Sequence, residues 1–382
     1  MKAVWILMCA IGVVGANSLV LSPIATEVAT AFAGRDAADV MLASAVYGAG
    51  TALSALFLAP QADRIGLKRA LLWALSILAA ALLLSASAPS LTILIVAQGI
   101  TGIGAGLALP AIYGLAADVS PKGQESATLG KVLTGWTLSL VAGVSLSAVL
   151  ADVLHWRAVF AVMALASVLL WLLVARLDVP RKAVADVSTS PLSAFRVAGV
   201  KPVLVAVAAF MAAFYGTYAF LGTHMTATLG YGTAVAGVAS LAYGIGFGVV
   251  APLDKLIDRF GAVRAAPVVF GALTLVYVLM SALGQSGTAV LVVCLLWGGI
   301  NHLGLNIMVG QLSALSVSQR SAILGLYSTT TYVAMFAGTA LFKEAYSVIG
   351  FQGIALLSAA CVLPAVAGAV WRLRRPVLRP AE

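Results

Sequence analysis

The 382-residue chain is 62% hydrophobic and only 9% charged, with a formal net charge of +9 and a mean hydropathy of +1.08. Soluble domains carry about 25% charged residues, so no water-facing globule hides this much apolar surface, and lipid must be the solvent for most of it. A closed transmembrane barrel is excluded too, because its strands alternate in segments of about ten residues, whereas these runs are continuous and rich in Ala, Leu, Val and Gly.

A spanning helix needs about 20 apolar residues. Twelve such stretches follow one another: Val4–Thr26, Asp39–Ala59, Ala70–Ala88, Leu91–Ala116, Ala127–Ala151, Trp156–Ala175, Val203–His224, Thr233–Leu253, Ala265–Leu283, Thr288–Gln311, Ile323–Glu344 and Phe351–Trp371. We number them spans 1 to 12. The first resembles a signal peptide in having Lys2 before an apolar run, but that run continues through Leu19–Ile24, past any cleavage point. It is read as a span. An even number of spans returns both termini to one side. Of the 22 Lys and Arg residues, nineteen fall on that side and only Arg35, Arg157 and Lys343 on the other. By the positive-inside rule both termini are expected in the cytoplasm, which places the chain as a multi-pass protein of a bacterial-type inner membrane.

The longest polar stretch, Arg176–Pro202, holds three prolines and mixed charge, with one amphipathic turn expected near Leu192–Val197. It divides the chain into a six-helix bundle (1–175), a cytoplasmic linker (176–202), a second bundle (203–371) and a cytoplasmic tail (372–382). The bundles are related in sequence. Asp63-Arg64-x-Gly66 recurs as Asp258-Arg259-x-Gly261, Ser126-Ala-Thr-Leu-Gly130 as Ser321-Ala-Ile-Leu-Gly325, and Ala142-Gly143 as Ala337-Gly338, each 195 positions on. Six helices restore the starting side, so the bundles are parallel repeats with a path expected between them. The fold class is therefore all-α, twelve transmembrane helices in two pseudo-symmetric bundles.

The turn after span 2 reads Ala59-Pro-Gln-Ala-Asp63-Arg64-Ile-Gly66-Leu-Lys68-Arg69. It resembles the G-x-x-x-D-R-x-G-x-R/K-R motif of the major facilitator superfamily, with the first glycine changed to Ala59. Span 5, Gly135-WTLSLVA-Gly143-VSLSA, followed by Trp156-Arg157-x-x-Phe160, is similar to the antiporter signature of that family's twelve-helix drug and sugar efflux branch. Ser145 and Ser147 replace the expected Pro and Gly. The resemblance covers the whole chain and implies alternating access, outward transport and proton coupling. It also implies a latch: Asp63 would dock near Ser321–Ile323, and Asp258 near Ser126–Thr128, with Arg64, Gly66, Arg69, Arg259 and Gly261 completing the gating motifs. Two positions depart from it. Gln98 stands in the R-x-x-x-G register of span 4, and Asn17 stands where this branch often has an acid in span 1.

No Asp or Glu is expected deep in any span, so other groups must serve. An ionisable residue within a span is a functional candidate by default. His302 in span 10 shares a helix face with Asn306 and is either the group that carries a coupling proton or a hydrogen bond between helices. Asn301, Asn17 and Gln98 offer uncharged donors and acceptors. Tyr215 and Tyr218, beside Phe214, suit a half-polar substrate surface or simple packing. Tyr113 shares a stripe with Gln98, and Trp136, Tyr243, Tyr327 and Tyr332 are further candidates for the path. His224 is expected at the interface.

Cys9, Cys294 and Cys361 show neither metal spacing nor a disulfide framework, and no catalytic or nucleotide motif is present. The expectation is a transporter, not an enzyme, with no cofactor, no metal and no nucleic-acid partner, working as a monomer in the bilayer. Its substrate is expected to be a small neutral, amphipathic or anionic molecule, because a buried lipophilic cation would need a carboxylate partner. An uncoupled facilitator, an importer and a non-transporting receptor are the alternative readings.

Overall fold

Eleven helices among the described residues are long and apolar enough to cross a bilayer, and the last is two spans in one run. The computed structural model describes residues 2–121, 124–179, 191–316 and 319–374. The side chains of Asp63, Glu125, Ser126, Ala127, Leu256, Asp258, Ser321 and residues 371–374 lie outside that description. The final run, Arg320–Arg374, contains 55 residues. At 1.5 Å per residue it would reach about 80 Å, against a hydrocarbon core of about 30 Å. Gly350 breaks it, with φ 65° and ψ −171°, a region open essentially to glycine alone. Spans 11 and 12 part there, and the expected twelve are all present.

The remaining spans follow the apolar runs, with breaks where local chemistry demands them. Span 1 comprises Lys2–Leu19 and Leu21–Thr30, parted at Val20. Pro23 explains the break, since its ring clashes with the carbonyl four residues earlier and offers no N–H. Span 2 is Ala37–Phe57, span 3 Leu67–Ala86, span 4 Leu91–Asp118 and span 6 Trp156–Ala175. Span 5 runs from Glu125 to Val153 and widens into a π turn at Ser139–Val144. Span 7, Val200–Thr223, ends in a second π turn, His224–Thr228. Spans 8, 9 and 10 are Thr233–Val249, Ala262–Leu283 and Gly287–Ala314. Residues 180–190 of the linker lie outside the description. The amphipathic turn expected near Leu192–Val197 is a 3₁₀ turn, Pro191–Arg196, with Pro191 set against Gly325 of span 11.

The sequence repeat is also a repeat of backbone conformation. Each charged turn is a short helix, Ala59–Ile65 or Asp254–Phe260, closed by a glycine. Gly66 has φ 89° and ψ 131°, and Gly261 has φ 84° and ψ 138°. Both φ values are positive, a region that glycine enters without steric cost. Deeper in the membrane the contacts repeat with an offset of 196. Gly102 of span 4 lies against the backbone of Tyr47, and Gly298 of span 10 against that of Tyr243, each too closely for a side chain. Small residues of this kind let transmembrane helices meet backbone to backbone.

Span 2 packs on span 4 within the first half, as span 8 packs on span 10 within the second. Between the halves, span 2 meets span 11, span 5 meets span 8, and the far part of span 1 meets span 7. One end of the molecule carries the two charged turns and most of the described basic residues, and we call it the arginine-rich end. At the arginine-poor end Glu27 ties span 1 to span 6 by accepting the Trp156 backbone N–H at 3.0 Å. This satisfies one of the free donors at that helix start. Glu27 Oε2 is buried without a partner. Glu27→Ala, which loses the cap, is expected to be about 1 kcal/mol less stable, and Glu27→Gln, which keeps an acceptor, to lose less. Thermal melts in detergent check both.

Candidate functional site

The polar side chains within the spans gather in four places. In the first half, Asn17 Nδ2 donates to Gln98 Oε1 at 3.0 Å, and Gln98 Nε2 donates to Ser85 Oγ at 3.0 Å. Ser85 passes its own hydrogen to the Ala81 carbonyl. Asn17 and Gln98 are 3% and 0% exposed, so this chain of neutral groups lies inside the bundle rather than on an open surface. The two candidates come together as partners of each other. Ser85 was not foreseen, because one serine in an apolar run gives no signal. Asn17 Oδ1 is left without a partner.

The second place is an aromatic core in the other half. Phe214, Tyr218, Tyr243 and Trp297 pack ring against ring with centroids 4.9–6.1 Å apart. Asn301 is buried there and donates to the Tyr243 hydroxyl at 2.9 Å. His224, expected at the interface, is instead buried. Its Nε2 pairs with the Gly284 carbonyl at 2.7 Å and its ring stacks on Phe351 at 4.2 Å. A π turn begins at His224, a feature that apolar periodicity does not reveal.

The third place is the seam between the halves. Ser22 donates to the Tyr218 carbonyl, Thr26 and Thr226 share a hydrogen at 2.6 Å, and Lys343 meets Asp39 at 2.7 Å. These contacts sit toward the arginine-poor end. Asp39 also has Arg35 at 3.9 Å. A void of about 10 Å³, room for about one water, is enclosed by Ser18, Ser22, Ser44, Thr339, Tyr215 and Tyr218 among others. Tyr47, Tyr113, Tyr215, Tyr327 and Tyr332 neighbour one another across spans 2, 4, 7 and 11, with Trp136 beside Tyr113. The tyrosines expected along the path are thus brought to the seam, while Tyr243 belongs to the aromatic core.

The fourth place is span 10 at the arginine-rich end. His302 Nε2 lies 3.1 Å from Asp254 Oδ2 and 3.2 Å from Asn306 Nδ2. Asp254 begins the short helix after span 8, reached through the 3₁₀ turn Ala251–Leu253. It was missed because the apolar run stops at Leu253 and the acid reads as loop. The Asp39–Lys343 pair was missed for another reason. Its members are 304 positions apart, linked in sequence only by being scarce charges at one end.

Of the gating residues, Arg64 and Arg69 are exposed, and Arg259 sits over the exposed Phe260 ring at 6.0 Å. Lys68 donates to the Ala175 and Leu177 carbonyls at 2.9 and 2.6 Å, closing the end of span 6. The side chains of Asp63 and Asp258 lie outside the described residues. Gly135 and Gly143 let span 5 approach span 1, at Met8 and Ile11 and at Ala16. Among the described residues no group of three His, Cys, Asp or Glu is placed to hold a metal.

Because Gln98 satisfies Asn17, Gln98→Leu strands a buried amide, which costs about 1–3 kcal/mol. The double variant with Asn17→Leu is expected to recover part of that loss, a non-additivity that thermal melts of the four proteins in detergent will measure.

Comparison with known proteins agrees with this architecture. A family model described as Major Facilitator Superfamily matches residues 7–339. Two Bacillus subtilis (strain 168) proteins are similar. The uncharacterized MFS-type transporter YwfA is 27% identical over 364 residues, 91% of this chain and 86% of its own. The uncharacterized MFS-type transporter YceJ is 25% identical over 252 residues, 64% of each chain. Among solved structures, the human organic anion transporter MFSD10 (TETRAN) shares the fold. Its TM-score is 0.72 at 14% identity, over 98% of this chain and 99% of that one.

Proposed function

The chain belongs to the Major Facilitator Superfamily and is a secondary transporter, and from that premise we propose that it exports a small neutral, amphipathic or anionic compound across the inner membrane in exchange for protons. The observation that carries this reading is the seam. The polar contacts between described residues of the two halves lie toward the arginine-poor end, with the Lys343–Asp39 ion pair at its rim. This arrangement supports a path closed at that end, placed outside by the positive-inside count. The substrate class follows from the lining. Hydroxyls and aromatic rings flank the seam, and Asp39 at its rim is already paired with Lys343, so a cation would find no free partner among them. The neutral Asn17–Gln98 pair favours an uncoupled facilitator as the second reading.

Counterflow in proteoliposomes with a panel of sugars, antibiotics and organic anions identifies the cargo. An imposed pH gradient then separates the readings: a coupled exporter accumulates that compound against its gradient, and a facilitator only equilibrates it. If Asp39 and Lys343 close the outer end, Asp39→Lys and Lys343→Asp each lower transport severalfold and the double exchange restores it. If Asp63 latches the halves at the other end, Asp63→Asn abolishes transport while the protein still inserts. Normal transport by that variant would remove the latch.

A further inference from the structure

We propose that His302, Asp254 and Asn306 form the site that takes up the coupled proton, so that coupling resides in the second half alone; this rests on the exporter reading above. Four observations carry it. First, Nε2 of His302 faces two partners with opposite demands. Asp254 Oδ2 at 3.1 Å asks for a hydrogen on that nitrogen, and the Asn306 amide N–H at 3.2 Å asks for a lone pair. One nitrogen cannot meet both. A proton added at Nε2 makes an imidazolium paired with the Asp254 carboxylate and releases Asn306, and its loss reverses the exchange. With the Asn306 amide turned over, its oxygen shares the Nε2 hydrogen with Asp254 and the added proton goes to Nδ1, which has no partner.

Second, the cluster is short of partners. His302 Nδ1 and Asp254 Oδ1 are both buried with none, and a buried polar atom left unpaired is costly. Third, it has a route to water. A cavity of about 350 Å³ at the arginine-rich end is lined by Asp254, Ile257, Gly261, Ala262, Asn306 and Gly310. The His302 side chain is 14% exposed and that of Asp254 35%. Fourth, the fold does not need these residues. In the register that aligns Gly102 with Gly298, the first half has Gly106 and Pro110 where the second has His302 and Asn306. In the register of the two charged turns, Ala59 stands for Asp254.

The site is wired to the seam. The Phe247 ring meets His302 edge-on at 4.7 Å. Its chain neighbour Gly248 lies against Thr137 of span 5, in the other half. Rocking the halves at this contact therefore moves the ring that covers His302. Around the imidazole, the helix after span 8 contributes Asp254, span 8 contributes Phe247, and span 10 contributes Asn306. Span 9 brings only Ala262 to the cavity. Lys255, Arg259 and Arg264 are exposed, and the side chain of Asp258 lies outside the described residues.

The test needs no cargo, because the proton is the probe. In the full chain in nanodiscs, with Cys9, Cys294 and Cys361 replaced, spin labels at Ala33→Cys and Val348→Cys report opening of the arginine-poor end. Nitrogen-15 histidine spectra resolve His155, His224 and His302, and His302→Gln assigns the third. The expected result is that moving from pH 8 to pH 6 shifts the ratio of the two distance populations about fivefold or more. His302→Gln and Asp254→Asn abolish that shift, and Asp254→Asn alters the His302 ring signals alone. A pH response that survives in His302→Gln overturns the site. Two populations whose ratio ignores pH in the parent overturn it as well and leave alternating access standing, whereas one distance under every condition overturns both.

Discussion

Within the hydrocarbon layer a polar group has no water to turn to, and each must be matched inside the protein. Most of the side-chain placement follows from that constraint. Asn17, Gln98 and Ser85 hand hydrogens along a line that ends on a backbone carbonyl. Asn301 spends its amide on Tyr243. Hydroxyls along the spans turn back to the carbonyl four residues earlier, as Thr51, Thr101 and Ser167 do. Matching is incomplete at several buried atoms, Asn17 Oδ1 and Asn301 Oδ1 among them, and at His302 Nδ1 and Asp254 Oδ1 the cluster also stands beside a cavity at the arginine-rich end.

The same absence of water removes the hydrophobic drive for helices to associate, so close packing must hold the bundles together. Glycine supplies it. Gly102 and Gly298 make the same backbone approach in the two halves, which explains why a repeat so faint in sequence is clear in contacts. At the seam, Gly222 lies against the Ser22 backbone and Gly237 against Ala148. Small, mostly uncharged surfaces such as these can part and close again without stranding a charge in lipid, whereas the Asp39–Lys343 ion pair sits at the rim of the seam, 22% exposed on each side.

The sequence made the fold legible because each layer of it obeys a strong local rule. Twenty apolar residues span, basic residues mark one end, and Gly66 and Gly261 close their turns with the backbone expected of glycine. Partnership was not legible. Asn17 and Gln98 were each recognisable as polar residues in lipid, but nothing in one chain reveals that they bond to each other across 81 positions. His224 looked like a residue of the membrane edge because it closes its apolar run, and nothing in the sequence shows that its ring meets the Gly284 carbonyl and Phe351. Asp254 looked like a loop because hydropathy ends a span where charge begins, although one further turn of chain carries that charge back to span 10.

The two halves share their charged turns and their packing but not their polar interiors, and the difference is one of charge. The first half has settled on amides and a serine, groups that hold the same hydrogens at every ordinary pH. The second keeps a histidine and a carboxylate in contact, a pair whose hydrogen bonding changes with one proton. If both halves titrated, each would need a route to water of its own, and a proton could enter one while the other was empty. If His302 and Asp254 take up the coupled proton, confining the pair to one half, next to the Phe247 ring of span 8, ties a single protonation to a single motion of the seam.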